Sequence, residues 1–484
     1  MSTRGFSDQQ NPDKTGSQGS ICPSSFHAAQ CSRLIQCLAP APGIRFSSAS
    51  ASTTDGDEVW AHKAGVNVLA IDHYDRRFMV SGGADASVHL WDFESRGAQS
   101  THLHRSIASV SKSSNTSAHT HALTSISIYP FDPTPATVLT TSHDTTLKLS
   151  SIGESEITPV HTFSLHSTPY SHSLSSHPSS HLLIGVGTSD KAVRLLDLRS
   201  GLSTHSLPGH TGAVLSVQWA PHNPHLIASA SKDNRVLIFD VRRGGHNSTI
   251  ASLDMDDAVG VLPPPTAPPT FHPRKPFARG SRAHNGAVTG VRWSPQGDFI
   301  ITAGQDSRLR VWDATTGANT LVHFGPRIRN SASMHLAERA PLVVPDNVSA
   351  QEAPFFLWPN YSDPDDRGEI FIFSIRNEGE LVTHLKVPGI PSRERMRAIG
   401  KPSALTAARI NTLTWRGNGG AGEGMEMFSG HGDGTIRCWA SRTEEEIDEI
   451  EAEREETEME ERKRKRDVLE ELYRGLMQPG VTFT

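Results

Sequence analysis

The chain of 484 residues is 36% hydrophobic and carries a formal net charge of −6 at pH 7. This composition suits one large domain or two smaller ones, and it argues against a protein that holds nucleic acid through overall positive charge. Only four cysteines occur, none of them in a C-x-x-C pair, and no apolar run reaches the length of a membrane span. We therefore expect a reducing compartment, no zinc site and no membrane segment.

The first predicted element lies in residues 23–45, after a stretch, residues 1–22, that we expect to be disordered. Apolar side chains recur there at i, i+3, i+4 and i+7: Cys31, Leu34, Ile35 and Leu38. This spacing predicts a short amphipathic helix that ends at Pro40. Such a helix is too short to be stable alone in water, so its apolar side needs a surface, either on the chain's own folded domain or on a partner.

A repeat dominates residues 58–442. Six segments align without gaps on an aspartate, namely Asp85, Asp144, Asp190, Asp233, Asp306 and Asp433. Four residues earlier stands Ser81, Thr140, Val186, Ser229, Thr302 or Ser429, and six residues later stands Trp91, Ser150, Leu196, Phe239, Trp312 or Trp439. Four of the units also begin with a histidine: His62, His119, His210 and His284. The recurring order is histidine, small hydroxyl, turn aspartate, strand and aromatic residue.

This order resembles the WD repeat, in which each repeat is one blade of four antiparallel strands. The resemblance implies that the histidine, hydroxyl, aspartate and tryptophan form a hydrogen-bonded tetrad: the carboxylate accepts from imidazole, the hydroxyl relays, and the indole N–H donates. We expect tetrad members at His62, Ser81, Asp85, Trp91, His210, Ser229, Asp233, His284, Thr302, Asp306, Trp312, Ser429, Asp433 and Trp439. A complete tetrad is expected in blade five, whereas Val186 and Leu196 break the pattern in blade three.

The gap between Asp306 and Asp433 spans about three blade lengths, so at least one degenerate blade must lie there. The stretch "RGEIFIFSIRNEGELVTHL" supplies it, with Arg367 at the aspartate position and Ile370 and Phe373 among its strand residues. The prediction is therefore an all-β, seven-bladed closed propeller without a free sheet edge. The excess length is assigned to inserted loops at residues 95–118, 244–283 and 387–409.

Residues 443–484 form a charged tail that begins acidic and then becomes basic. Leucines at helical spacing after the basic run predict a charged helix. The basic run itself consists of Arg462, Lys463, Arg464, Lys465 and Arg466. It is typical of a nuclear import signal, although such clusters also occur on solvated helices.

Motifs for catalysis are weak in this sequence. The string "GNGGAG", residues 417–422, is not followed by a helix and is predicted to be a hairpin loop instead of a phosphate-binding turn. The 25 histidines are scattered over loops or occupy repeat positions, without metal-ligand spacing. We expect no catalytic residue, no cofactor and no metal.

Several tracts go beyond the general repeat pattern, among them "GVNVLAIDHYDRRFMVSGGADASVHLWDFE", "LIASASKDNRVLIFDVRRGG" and "DSRLRVWDATTGANTLVHFG". From about residue 24 to residue 440 the sequence resembles the Cockayne syndrome group A family of WD-repeat proteins. The resemblance implies a non-catalytic substrate receptor of a cullin–RING E3 ubiquitin ligase. It further implies a nuclear role in transcription-coupled nucleotide excision repair, with stalled transcription and repair machinery as the substrate.

The same resemblance implies how the ligase would be held. Such receptors bind the ligase's damage-binding adaptor through an N-terminal helical element, here Leu34, Ile35 and Leu38, and through an arginine in a W-D-x-R sequence. Arg242 and Arg199 match the D-x-R portion, but Phe239 and Leu196 replace the tryptophan. The helix could still dock on its own propeller.

Two interpretations of Asp240-Val241-Arg242 stay open. The aspartate could simply cap a turn while the arginine lies in solvent, or the arginine could serve as an interface hot spot, with Arg243 facing away from the partner. An alternative function is a scaffold in a chromatin or RNA-processing complex unrelated to ubiquitin. Direct sequence-specific nucleic-acid binding is not expected.

Overall fold

Antiparallel strands form nearly all the regular structure in the computed structural model. It describes residues 35, 37–48, 59–96, 101–132, 136–153, 155–180, 182–259, 281–325, 328–330, 355–359, 368–375, 379–387, 409–417, 425–442 and 466. These residues form an all-β propeller of seven blades, each a separate antiparallel sheet. The alternation in "RLRVW", where Leu309 and Val311 are buried between more exposed arginines, shows why such segments become strands.

Blades one to three each contain four strands. Blade one has β3 (Val66–Ile71), β4 (Phe78–Gly83), β5 (Val88–Asp92) and β7 (Ala108–Val110). Blade two has β8 (Leu123–Ile128), β9 (Thr137–Ser142), β10 (Thr146–Ile152) and β11 (Ile157–Ser164). Blade three has β12 (Pro169–Leu174), β13 (Leu183–Thr188), β14 (Ala192–Asp197) and β15 (Leu202–Pro208).

Blades four to seven continue the ring. Blade four has β16 (Val214–Trp219), β17 (Leu226–Ser231), β18 (Val236–Asp240) and β19 (Thr249–Ser252). Blade five has β20 (Val288–Trp293), β21 (Phe299–Gly304) and β22 (Arg308–Asp313), and blade six has β23 (Phe355–Pro359), β24 (Glu369–Ser374) and β25 (Leu381–Lys386). Blade seven has β26 (Ile410–Gly417), β27 (Glu426–His431) and β28 (Ile436–Ser441). Its fourth strand is β1 (Leu38–Pro40).

The antiparallel order gives the propeller two distinct faces. Neighbouring strands reverse direction, so the turns between the second and third strands, which carry the repeat aspartates, all lie at one end of the blades. We call this end the Asp-turn face. The turns between the third and fourth strands, including those that follow Asp197 and Asp240, lie at the opposite end, which we call the D-x-R face.

The N-terminal segment differs from its prediction. Leu38 was placed in a helix, but it belongs to β1, which pairs with β28 in blade seven, with Leu38 opposite Ser441 and Pro40 opposite Trp439. Bonds from Ala41 N–H to the Cys438 carbonyl and from Arg442 N–H to the Cys37 carbonyl extend this pairing, at 2.9 and 3.1 Å. The reason is tertiary, because blade seven needs an outer strand and its main-chain bonds outweigh a weak local helix tendency. The propeller therefore begins at β1 and not at residue 58.

A second N-terminal strand runs on to blade one. β2 (Ile44–Ser47) pairs in parallel with β6 (His102–Arg105). The Phe46 ring contacts Trp91 and Phe93 of blade one and Phe428 of blade seven, at centroid distances of 5.3, 6.4 and 5.7 Å. The segment from β1 to β2 thus fastens the last blade to the first.

The predicted inserted loops are also partly wrong. Residues 95–118 include β6 and β7, and residues 244–283 include β19, the outer strand of blade four. Short outer strands have weak sequence patterns. The many serine, threonine and histidine residues in these segments are also more typical of loops than of strands. Of residues 387–409, only the two end residues are described, and the predicted tail lies outside the described residues except for Arg466.

Candidate functional site

The tetrads of blades one and five are complete. In blade five His284 Nδ1 bonds Asp306 at 3.0 Å, His284 Nε2 contacts the Thr302 hydroxyl at 2.8 Å, and the Trp312 indole N–H donates to that hydroxyl at 2.9 Å. In blade one the same contacts join His62, Ser81 and Trp91, at 2.8 and 2.9 Å, with Asp85 at 3.4 Å from His62 Nδ1. These four-residue chains tie the strands of each blade to the segment that enters it.

Blades two and four keep three of the four members. His210 contacts Asp233 at 3.0 Å and Ser229 at 2.7 Å, and the fully buried Phe239 fills the tryptophan position without an N–H. In blade two His119 contacts Asp144 at 2.8 Å and Thr140 at 2.9 Å. Ser150 replaces the indole there, and a small cavity lined by Ser150, Thr140 and Lys148 lies beside it.

Blade seven builds its tetrad in a way that the sequence analysis missed. Ser429 accepts the Trp439 indole N–H at 2.8 Å, as expected, but its imidazole partner is His431, on the same strand, at 2.8 Å. Asp433 accepts from Thr435 and lies 3.2 Å from Arg437. The spacing Ser-x-His-x-Asp in "SGHGD" was the available signal.

The pKa values of the repeat aspartates in blades one, two, four and five are lowered, which holds them as carboxylates. Burial alone raises the pKa of Asp306, but the hydrogen bond from His284 and the hydrogen bond and charge of Arg310 outweigh it, so the pKa lies well below its usual value. For Asp233 burial is likewise outweighed by the His210 hydrogen bond, and the pKa falls to about 2. Burial lowers the pKa of the His284 imidazole. At neutral pH a neutral His284 therefore donates from Nδ1 to Asp306 and accepts at Nε2 from Thr302.

A basic residue four positions after the aspartate is a further member that was not predicted. Arg194, Arg310 and Arg437 contact the repeat aspartates of their own blades, Asp190, Asp306 and Asp433, at 2.6, 2.9 and 3.2 Å. The recurring D-x-x-x-R is visible in the sequence. In blade three this pair stands without a histidine, and the Asp190 side chain is 46% exposed.

In the D-x-R turn of blade four, Asp240 caps the turn and the Arg242 side chain is partly exposed. Asp240 accepts the Arg242 backbone N–H at 3.0 Å, which caps the turn after β18. The guanidinium also folds back on this carboxylate, with Arg242 Nε and Nη2 at 3.0 and 2.7 Å from its oxygens. The Arg242 side chain remains 29% exposed, whereas that of Asp240 is only 3% exposed. The turn therefore holds one edge of the arginine fork and leaves part of it at the surface.

Arg243 contradicts the prediction that it faces away. Its side chain is 5% exposed, and its Nε lies 3.6 Å from the same Asp240 carboxylate. The chain forms a tight turn after β18, with a bond from Arg243 N–H to the Asp240 carbonyl, so the alternation of an extended strand does not apply. Arg243 is a buried structural residue and cannot serve as a neutral control.

The corresponding turn in blade three presents its arginine more openly. Asp197 accepts the Arg199 backbone N–H at 2.9 Å, the same cap as in blade four. The Arg199 side chain is exposed. The neighbouring Leu202 is also 67% exposed. Arg199 and Arg242 thus occupy equivalent turns of adjacent blades on the D-x-R face.

The predicted adaptor-docking side chains near the N-terminus are not at the surface. Ile35 is fully buried and Leu38 is 4% exposed, in a cluster with Trp439 and other residues of blades six and seven. These two residues therefore stabilise the chain's own propeller, which corrects the prediction that they meet a partner. Leu34 lies outside the described residues, as do Arg462 to Lys465 of the basic run, while Arg466 is exposed.

Within the described part of the chain, no three histidine, cysteine, aspartate or glutamate side chains are grouped so that they could hold a metal ion. Among the same residues, no helix has the length and apolar character needed to cross a membrane.

Comparisons with known proteins agree with the repeat architecture. Residues 58–92, 201–240 and 277–313 match the family "WD domain, G-beta repeat". The chain is 28% identical to the WD repeat-containing protein ATCSA-1 of Arabidopsis thaliana, over 55% of this chain and 70% of that protein. It is 26% identical to ribosome biogenesis protein ytm1 of Aspergillus niger, over 54% of this chain and 55% of that protein.

A further relative is the histone acetyltransferase type B subunit 2 of Debaryomyces hansenii, 28% identical over 29% of this chain and 32% of that protein. The matched family is a structural repeat and indicates no catalytic activity. Three segments of the chain match this repeat, and the described residues fold as a seven-bladed β-propeller.

Proposed function

We propose that this chain is a non-catalytic substrate receptor of a cullin–RING E3 ubiquitin ligase in transcription-coupled nucleotide excision repair. The observation that carries the proposal is the similarity to ATCSA-1, which extends over 70% of that relative. It agrees with the tracts that resemble the Cockayne syndrome group A family. The other two relatives are matched over shorter shares of their length.

In this proposal the D-x-R face binds the ligase's damage-binding adaptor. Arg199 contributes an exposed guanidinium, a planar fork of N–H donors suited to an acceptor on a partner. Arg242 contributes the outer part of a fork that Asp240 already holds in place, so little side-chain entropy is lost on binding. Both arginines lie on rigid turns of adjacent blades, which suits a shared interface.

The receptor would act in the nucleus, where it would bring stalled transcription and repair machinery to the ligase. The basic run from Arg462 to Arg466 would direct import, a role that rests on sequence alone. Deletion of these five residues should reduce nuclear accumulation of a fluorescent fusion. Unchanged nuclear accumulation would show that the basic run does not direct import.

A scaffold unrelated to ubiquitin is the second candidate. It is favoured by the names of two relatives, a ribosome biogenesis protein and a histone acetyltransferase subunit, at identities similar to that of ATCSA-1. A chain of this second class would assemble with RNA-processing or chromatin subunits and would not need Arg199 or Arg242 for an adaptor.

Adaptor binding by purified variants tests the proposal. Arg199→Ala should weaken binding by about thirtyfold, the loss expected for a hot spot worth about 2 kcal/mol. Its melting temperature should stay unchanged because an exposed side chain contributes little to folding. Lys191→Ala is the matched control, since Lys191 is exposed on the Asp-turn face of the same blade. Wild-type protein that does not bind the adaptor would refute the proposal.

Arg242→Ala should lower the stability of the fold as well as adaptor binding, and the assay must separate these two effects. The substitution removes two side-chain donors, Nε and Nη2, from the buried Asp240 carboxylate, so stability should fall together with binding. Its binding should therefore be measured well below its melting temperature. Full affinity in both Arg199→Ala and Arg242→Ala would show that the D-x-R turns do not meet the adaptor.

A further inference from the structure

The residue type two positions after the repeat aspartate differs among the blades. In blades one, two and seven it is Ser87, Thr146 or Thr435, and each hydroxyl donates to its aspartate at 2.6 Å. A side-chain hydroxyl at this place closes the turn on the Asp-turn face. In these three blades a small hydroxyl residue therefore closes the turn, whereas blade three has Ala192 at this position.

Blades four and five carry arginine there instead. Only the backbone N–H groups of Arg235 and Arg308 reach their aspartates, at 3.1 and 3.2 Å. The Arg308 side chain is exposed. Arg235 Nη2 makes a long contact of 3.4 Å to Ser252, and its Nε is buried without a hydrogen-bond partner among the described residues. Two adjacent blades thus give up a turn-closing bond and place guanidinium groups on one face.

Two further cations lie beside these arginines. Lys232 is exposed and directly precedes Asp233 in the same turn as Arg235. Arg282 is also exposed, and the next two residues bond the Asn234 carbonyl through their backbone N–H groups, at 3.0 and 3.3 Å. Arg282 is therefore adjacent to the blade-four turn. We define the basic patch as Lys232, Arg235, Arg282 and Arg308.

The acids of this region do not neutralise the patch. Asp233 and Asp306 have side chains only 5% and 10% exposed, and they are engaged in the tetrads. Asp254 and Asp256 flank Met255, whose N–H bonds the Arg282 carbonyl at 2.8 Å, so they border the patch beside Arg282. Asp257 lies in the same turn, with its N–H bonded to the Asp254 carbonyl at 3.0 Å. Four cations against these three bordering carboxylates still leave a net positive surface over the turns of blades four and five.

We propose that the basic patch binds an acidic peptide segment of a partner protein. Arginine forks pair with carboxylate or phosphate groups through charge-assisted hydrogen bonds, and the Arg308 and Arg282 side chains are exposed. A peptide fits better than nucleic acid, because duplex DNA presents about one charge per 1.7 Å and the patch offers only four cations within a chain of net charge −6. The patch lies opposite the D-x-R face, so this binding goes beyond adaptor docking and leaves that face free.

Arg235→Ser with Arg308→Ser is the decisive variant. It restores the hydroxyl that blades one, two and seven use, so the fold should keep or raise its melting temperature. Fluorescence anisotropy would measure the binding of a labelled peptide rich in glutamate and aspartate, with and without one phosphoserine. We expect the full-length variant to bind at least tenfold more weakly than wild type, and Arg199→Ser on the D-x-R face to bind normally.

Three results would overturn the proposal. The first is that wild type binds neither peptide, and the second is that the Arg235→Ser, Arg308→Ser variant keeps full affinity. The third is that Arg199→Ser loses as much affinity as that double variant, which would indicate nonspecific charge attraction. A single-stranded oligonucleotide serves as the competing probe. If it binds more tightly than both peptides and loses affinity in the same variant, the patch is a nucleic-acid site and the peptide proposal is wrong.

Discussion

Replacement of Asp306 by alanine should destabilise the propeller far more than the same change at Asp190. Asp306 accepts four hydrogen bonds, from His284 Nδ1, the Asn285 and Arg308 backbone N–H groups and Arg310 Nη1, at 2.9 to 3.2 Å. Its loss leaves a fully buried imidazole and a largely buried guanidinium without their acceptor. We expect a cost of about 3 kcal/mol, the range for breaking a buried charged network.

Among the described residues, the Asp190 side chain pairs only with Arg194, and both side chains are partly exposed, so its loss should cost about 1 kcal/mol or less. For a propeller this large, with an unfolding entropy of about 2.1 cal/mol/K per residue, the two costs correspond to a fall in melting temperature of about 4–5 °C for Asp306→Ala and under about 2 °C for Asp190→Ala. Thermal melts followed by circular dichroism measure both, with Asp306→Asn as an intermediate that keeps one acceptor oxygen. Equal losses at the two positions would refute the assignment of a complete tetrad to blade five.

Three other changes test separate parts of the fold. Trp312→Phe removes the indole N–H donated to Thr302 and should cost about 1–2 kcal/mol in thermal melts. Leu38→Asp places a carboxylate in the core beside β1 and should lower the melting temperature even without a partner; an unchanged value would contradict ring closure by β1. The pKa of Asp233 lies below its unfolded value of about 3.9, so its stabilisation is complete above about pH 4 and is lost as the pH falls towards 2. Asp233→Asn should therefore show a flatter loss of stability in acid than wild type.

The propeller and most tetrads could be predicted because their signals are local. The aspartate and the residues four before and six after it lie within one hairpin, so a fixed spacing reports a fixed geometry. The degenerate blade six was also found, since β24 keeps a continuous apolar run, Ile370 to Phe373, that is buried as a strand.

The errors concern pairings between distant parts of the chain. Leu38 belongs to a strand only because β28, about 400 residues later, lacks an outer neighbour, and no window around Leu38 contains that information. His431 was missed because it reaches Ser429 from the same strand and not from the preceding segment. Arg243 was placed wrongly because the turn after Asp240 ends the extended alternation.

Affinity purification of the tagged full-length protein from nuclei, followed by mass spectrometry, tests the central claim most directly. The proposed receptor should bring down the damage-binding adaptor and a cullin, and both should be depleted with Arg199→Ala but not with Lys191→Ala. Recovery of ribosome-assembly or chromatin subunits, without adaptor or cullin, would contradict the ligase account and establish the scaffold alternative.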